Sequence, residues 1–104
     1  MEKQPYNKLV RDKIPEQLRA KGIGYELERV ASSDEEYKQE LIKKAFEEAG
    51  EFLANPTVEE LADMIEVIKA LEKFPEYANL EEVRKAKFDE RGGFERRIIL
   101  KGEK

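Results

Sequence analysis

Apolar and polar positions along this chain follow two different rhythms, and the slower one dominates. From Tyr37 onward the apolar positions return at helical spacing, through Leu41, Ala45 and Phe52. Ser33 with Glu36 reads as a capping box opening that helix, which runs to about Ala54. Asn55-Pro56 breaks it, and Thr57 with Glu60 forms a second capping box for a helix reaching about Lys73, before Pro75. Its apolar stripe runs through Leu61, Met64, Ile65, Ile68 and Leu71. The two helices therefore fold back on each other as an antiparallel hairpin.

Two further helices are predicted at the ends. Pro15 suits a first helical position, so Glu16 to Lys21 reads as a short helix stopped by Gly22. Asn79 caps a last helix through Arg91, terminated by Gly92-Gly93. The faster rhythm is weak: 24–30 (GYELERV) and 94–100 (FERRIIL) alternate briefly and are expected to pair as a small two-stranded ribbon. The expected fold is mainly α, a hairpin or bundle of about four helices with that ribbon beside it. At 104 residues, 1–104 is expected to form one domain.

The hairpin segment Ala45 to Ile68 holds seven acidic residues and no Lys or Arg, in a chain where 20 of 104 residues are basic. Helical phase sorts these acids. Glu48 falls inside the first apolar stripe and Glu51 on its edge. Glu60 falls inside the second, between the directions of Val67 and Leu71, and Asp63 on its edge. Glu47, Glu59 and Glu66 point elsewhere, toward solvent. In an antiparallel hairpin, residues at equal height share a constant index sum, and the pairs 48/63 and 51/60 share one. Four carboxylates are thus expected to meet between the helices. Partly buried like charges repel and raise each other's pKa unless a cation neutralises them. Oxygen-only ligands suit Mg²⁺, with Mn²⁺ as the second choice.

Composition narrows the chemistry. Cysteine and histidine are both absent, which removes disulfides, thiolate nucleophiles, the usual zinc sets and histidine bases. A carboxylate, lysine, tyrosine or metal must carry any catalysis. The net charge of −4 argues against a binder of polymeric nucleic acid. No apolar run is long enough to span a membrane and no signal peptide is seen, so a cytoplasmic protein is expected. Hydrophobic residues are 39% and charged residues 42%, a thin core for a monomer. A homo-oligomer is expected, a dimer first and a tetramer next. Lys8, Arg11 and Lys13 form a basic cluster before the first helix, read either as solvated surface or as a phosphate-binding arm near the metal.

The quartet has the form E-x-x-E then E-x-x-D: Glu48-Ala49-Gly50-Glu51 and Glu60-Leu61-Ala62-Asp63, with Glu47 just before the first. This resembles the signature of the all-α nucleotide pyrophosphohydrolase superfamily, which includes the MazG-like proteins, dimeric dUTPases and phosphoribosyl-ATP pyrophosphohydrolases. Lys44 matches a lysine often found there, and Arg91-Gly92-Gly93-Phe94 looks like a C-terminal run of some members. Tyr6 to Pro15 (YNKLVRDKIP) resembles the opening of a subgroup described as house-cleaning pyrophosphatases for noncanonical nucleotides.

The resemblance implies Mg²⁺-dependent hydrolysis of a nucleoside triphosphate to the monophosphate and pyrophosphate. By position, Glu48, Glu51, Glu60 and Asp63 would be metal ligands. Glu48 is the first candidate for the base, because burial should raise its pKa, and Glu47 could instead orient the water. Lys44, Arg91 and Lys8, Arg11 and Lys13 are candidates to hold phosphates. The short chain leaves little room for a base-recognition lobe, so a base pocket is expected to borrow from a neighbouring subunit. Phosphoribosyl-ATP is a second-choice substrate, and a non-enzymatic helical interaction module is the alternative from a different class.

Overall fold

The computed structural model describes residues 7–103, which leaves Tyr6 of the N-terminal motif outside the described residues. It is mainly helical, as the periodicity predicts. The elements in order are α1 (Ile14–Ala20), α2 (Asp34–Ala54), α3 (Val58–Leu71), a 3-10 turn (Pro75–Tyr77) and α4 (Leu80–Arg91). The chain divides into two compact units, the first ending at Leu71 and the second beginning at Glu72.

Local chemistry sets the ends of the hairpin. Ser33 accepts from the Glu36 N–H at 3.0 Å, while the Glu36 carboxylate accepts from the Ser32 N–H at 2.7 Å and from both Arg29 terminal nitrogens at 2.9 and 3.0 Å. Asp34, Glu35 and Glu36 then face the positive end of the helix dipole. At the other end Pro56 bars Asn55 from helical geometry, and the Thr57 N–H donates to the Asn55 carbonyl at 2.8 Å. Thr57 Oγ1 accepts from the Glu60 N–H at 3.3 Å, so this cap also forms as expected.

The remaining boundaries shift slightly. α1 starts at Ile14, with Pro15 in its first turn, and stops before Gly22, which takes φ +73°. α3 ends at Leu71, short of Lys73. Asn79 stands at the N-cap of α4 but makes no side-chain cap bond.

α2 packs on α3, and the core of the first unit lies between them. Leu41 on α2 and Val67 on α3 are buried, 4% and 7% exposed. The packed face of α3 differs from the expected stripe. It centres on Glu60, Met64, Val67 and Leu71, whereas Leu61, Ile65 and Ile68 stay 40–48% exposed. Those three lie about 80–140° around the helix from Glu60. On α2, Ile42, Phe46 and Leu53 are turned from Glu48 in the same sense and are also exposed. In an antiparallel pair, equal rotations place both stripes on one side of the hairpin. That side is apolar; the opposite side carries Glu47, Glu51 and Asp63.

The expected ribbon is not formed: among the described residues neither 24–30 nor 94–100 is a strand. In the first stretch, Tyr25 Oη donates to Glu28 Oε1 at 2.7 Å and Arg19 donates to both, which ties the segment into a bend against α1. In the second, the Arg97 N–H donates to the Phe94 carbonyl at 3.1 Å and Arg97 takes φ +59°, so the chain turns where a strand would extend. No helix among the described residues is long and apolar enough to cross a membrane.

Candidate metal centre

Helical phase and the capping turn bring the acids together. Glu48, Glu60 and Asp63 each present a carboxylate oxygen, all within 4.8 Å of one another. Glu51 stands at the border of this group as a like charge acting on both Glu48 and Glu60. Glu48 is 6% exposed, and its Oε2 is buried without a hydrogen-bond partner. Glu60 Oε2 is likewise covered and unpartnered. Native proteins rarely leave such atoms unsatisfied, because the lost hydration is not returned. Two residues with orphaned carboxylate oxygens, grouped with a third carboxylate, are a donor set that a hard divalent cation would suit.

Protonation follows the same geometry. Burial pushes the Glu48 carboxyl above its ordinary range; Glu51 adds to this, Lys44 opposes it, and Asp63 and Glu47 add further. The Glu60 carboxyl is raised by loss of hydration and then by Glu51, Asp63 and Glu48. Both groups hold protons more tightly than a free carboxylate while no cation is present.

The basic residues are partly sorted by the fold. Lys44, 17% exposed at its side chain, lies 3.7 Å from Glu48 Oε1 and 3.6 Å from Glu47 Oε1. Lys8 Nζ donates to Glu47 Oε1 at 2.6 Å, and Arg11 donates to Asp63 Oδ1 at 2.6 Å. The segment before α1 therefore lies along the acidic side of the hairpin. Glu47 is not simply solvated, as its helical phase had suggested. Hydrogen bonding from Lys8, helped by Lys44, holds its carboxyl below the usual range, which makes it a poor proton acceptor. These two long-range pairs have no local signal, since they join residues 39 and 52 positions apart.

Lys13 serves as the N-cap of α1, where its carbonyl accepts from the Gln17 N–H. Arg91 closes α4 in the second unit, and Gly92, at φ +78°, stops that helix by donating to the Phe88 carbonyl at 2.7 Å. Glu59 and Glu66 are exposed, as expected.

A cavity of about 330 Å³ opens beside Lys8, Lys44 and Glu47. A larger one of about 560 Å³ shares Asn7, Lys8 and Leu9 with it and continues past Ile14, Leu18 and Tyr25. Both are lined by residues of the first unit alone. Comparison of the chain with models of protein families, with curated proteins and with solved structures finds no match.

Proposed function

We propose that this protein is a Mg²⁺-dependent nucleoside-triphosphate pyrophosphohydrolase, cleaving a triphosphate to a monophosphate and pyrophosphate. The observation that carries the reading is the buried, unpartnered Oε2 of Glu48 within a group of three carboxylates 4.8 Å across. A purely structural acid cluster has no reason to leave that atom without a partner. The E-x-x-E and E-x-x-D spacing, with its resemblance to the all-α pyrophosphohydrolases, supports the same reading.

Glu48, Glu60 and Asp63 would hold the ion, with Glu51 completing the set from the border. The ion, when bound, supplies charge neutralisation for the phosphates beside the carboxylates. The protein's own groups divide the rest. A Glu48 carboxylate oxygen that the ion leaves free would take the proton of the attacking water. Glu47 anchors Lys8 and Lys44 rather than taking a proton. Lys44 lines the smaller cavity, where phosphate oxygens would meet it. The larger cavity falls within the size range of small-molecule sites, so base and sugar can lie within one subunit.

The exposed apolar side of the hairpin supports a homo-oligomer as part of this reading. Phe46 and Leu53 are 84% and 85% exposed there, beside Ile42, Leu61 and Ile65. A second hairpin laid on that side would complete a four-helix arrangement and leave the acidic side open.

Pyrophosphate release with Mg²⁺ tests the reading, using ordinary and damaged nucleoside triphosphates together with phosphoribosyl-ATP. Release that disappears with a chelator and in Glu48→Gln is expected. Release from no substrate, or release that survives Glu48→Gln, would contradict it.

A further inference from the structure

The segment 7–13 is irregular, yet its side chains grip both helices of the hairpin. Lys8 Nζ is 2.6 Å from Glu47 on α2, and Arg11 is 2.6 Å from Asp63 on α3. Asp63 is one of the three residues whose carboxylate oxygens lie together, and Glu47 precedes Glu48, which stands one turn on from Lys44. Both basic side chains remain about half exposed, at 44% and 54%, so a ligand can reach them without unfolding anything. Lys44 differs in being sunk to 17% against Glu47 and Glu48.

The charges show what these contacts do. Glu47, Glu48, Glu51, Glu60 and Asp63 are five carboxylates, and Lys8, Arg11 and Lys44 are three cations, which leaves a formal excess of two negative charges. Lys8 and Arg11 thus supply two of the three compensating charges while no ion is bound. A divalent ion at Glu48, Glu60 and Asp63 weakens the hold of Asp63 on Arg11, because the same carboxylate then shares its charge. Lys8 lines a cavity of about 330 Å³, and its released ammonium, together with the released Arg11 guanidinium in a two-pronged contact, is suited to phosphate oxygens.

We propose that the segment 7–13 is a triphosphate clamp that stands on the acids as their counter-ion until metal and triphosphate arrive, so that the two bind cooperatively. The proposal rests on the metal-centre reading above. Metal alone must compete with Arg11 for Asp63. Metal together with a triphosphate does not, since the arm has gained a new anionic partner. The coupling is reciprocal: each ligand strengthens the other by the same factor.

Calorimetric titration of the intact chain tests this with Mg²⁺ alone and with inorganic tripolyphosphate at saturating Mg²⁺, in wild type, Lys8→Gln and Arg11→Gln. Circular dichroism confirms that each variant keeps its helices. Arg11→Gln, which removes the competing cation from Asp63, should tighten Mg²⁺ binding alone roughly two- to fivefold, the range of one partly exposed ion pair, whereas Lys8→Gln, whose partner Glu47 is not a ligand, should change it by less than about twofold. The same variants should weaken tripolyphosphate about tenfold, the cost of a lost charge-assisted contact. Arg11→Lys should recover part of the tripolyphosphate binding. Wild type that binds Mg²⁺, with arm variants unchanged in both titrations or weaker for Mg²⁺ alone, would overturn the clamp and leave the metal centre standing. Absence of Mg²⁺ binding in wild type would overturn both.

Discussion

Glu48→Gln in the metal-free protein isolates the energetic cost of the acid group. Coulomb's law gives about 3–4 kcal/mol for one like charge 4.8 Å from Glu48 at an effective dielectric constant of about 20. Lys44, 3.7 Å from Oε1, returns an attraction of about 4 kcal/mol on the same scale. Glu51, Asp63 and Glu47 together outweigh that attraction, and to the leftover repulsion is added a buried carboxylate oxygen with no partner, worth about 1–3 kcal/mol. Glutamine keeps the shape, removes the charge and adds a donor facing acceptors that lack one. The metal-free variant should therefore be more stable by about 1–2 kcal/mol. For a chain of this length that is a rise of roughly 5–15 °C in Tm. Thermal unfolding followed by far-ultraviolet circular dichroism in a chelator measures it. Mg²⁺ should then raise the Tm of wild type and not that of the variant. A loss of about 1 kcal/mol or more in the chelator would show that Glu48 makes structural bonds, and the reasoning would fail.

Other expectations follow from named contacts. Glu48 and Glu60 have raised carboxyl pKa values, so the folded metal-free state binds their protons more tightly than the unfolded chain; lowering pH from neutrality toward the ordinary carboxylate range should stabilise it. Below that range the trend reverses, because Glu28 and Glu47 are held low and Glu36 is held at about 2, and their contributions fade as they protonate. Urea unfolding across pH should show this maximum, and saturating Mg²⁺ should flatten its upper side; a monotonic rise toward neutral pH without metal would contradict it. Ser33→Ala removes the cap of α2 and should cost about 1 kcal/mol by denaturant titration, with Ser33→Asp neutral or better. Phe46→Glu and Ile65→Glu place charge on the apolar side of the hairpin; under the proposed assembly, light scattering should find an oligomer for wild type and a monomer for the variants, with helix content retained.

The legible parts of the fold are those whose causes are local. Ser33, Thr57, Pro56 and Gly22 act on backbone groups within four residues, so the ends of α1, α2 and α3 are readable to within two residues. The meeting of Glu48, Glu60 and Asp63 was also readable, because helical phase and a tight antiparallel turn together determine which heights coincide. The packed face of α3 was not. That helix carries apolar residues on two adjoining faces, and periodicity alone weights Leu61, Ile65 and Ile68 as heavily as the buried Val67. Nor were the partners of Lys8 and Arg11 legible, since a local cluster of bases does not say against which distant acids an irregular segment lays them. The short alternations at 24–30 and 94–100 misled for a related reason. A few alternating residues are outweighed by one tyrosine network and one left-handed arginine.

Under the proposed function, Glu48, Glu60 and Asp63 close on one divalent cation. Crystals of the protein soaked in Mn²⁺ and measured at the manganese absorption edge test it most directly. An anomalous peak is expected within about 2.0–2.3 Å of oxygens from all three side chains, lost in Glu48→Gln crystals. A peak elsewhere, or none at saturating Mn²⁺, would contradict it.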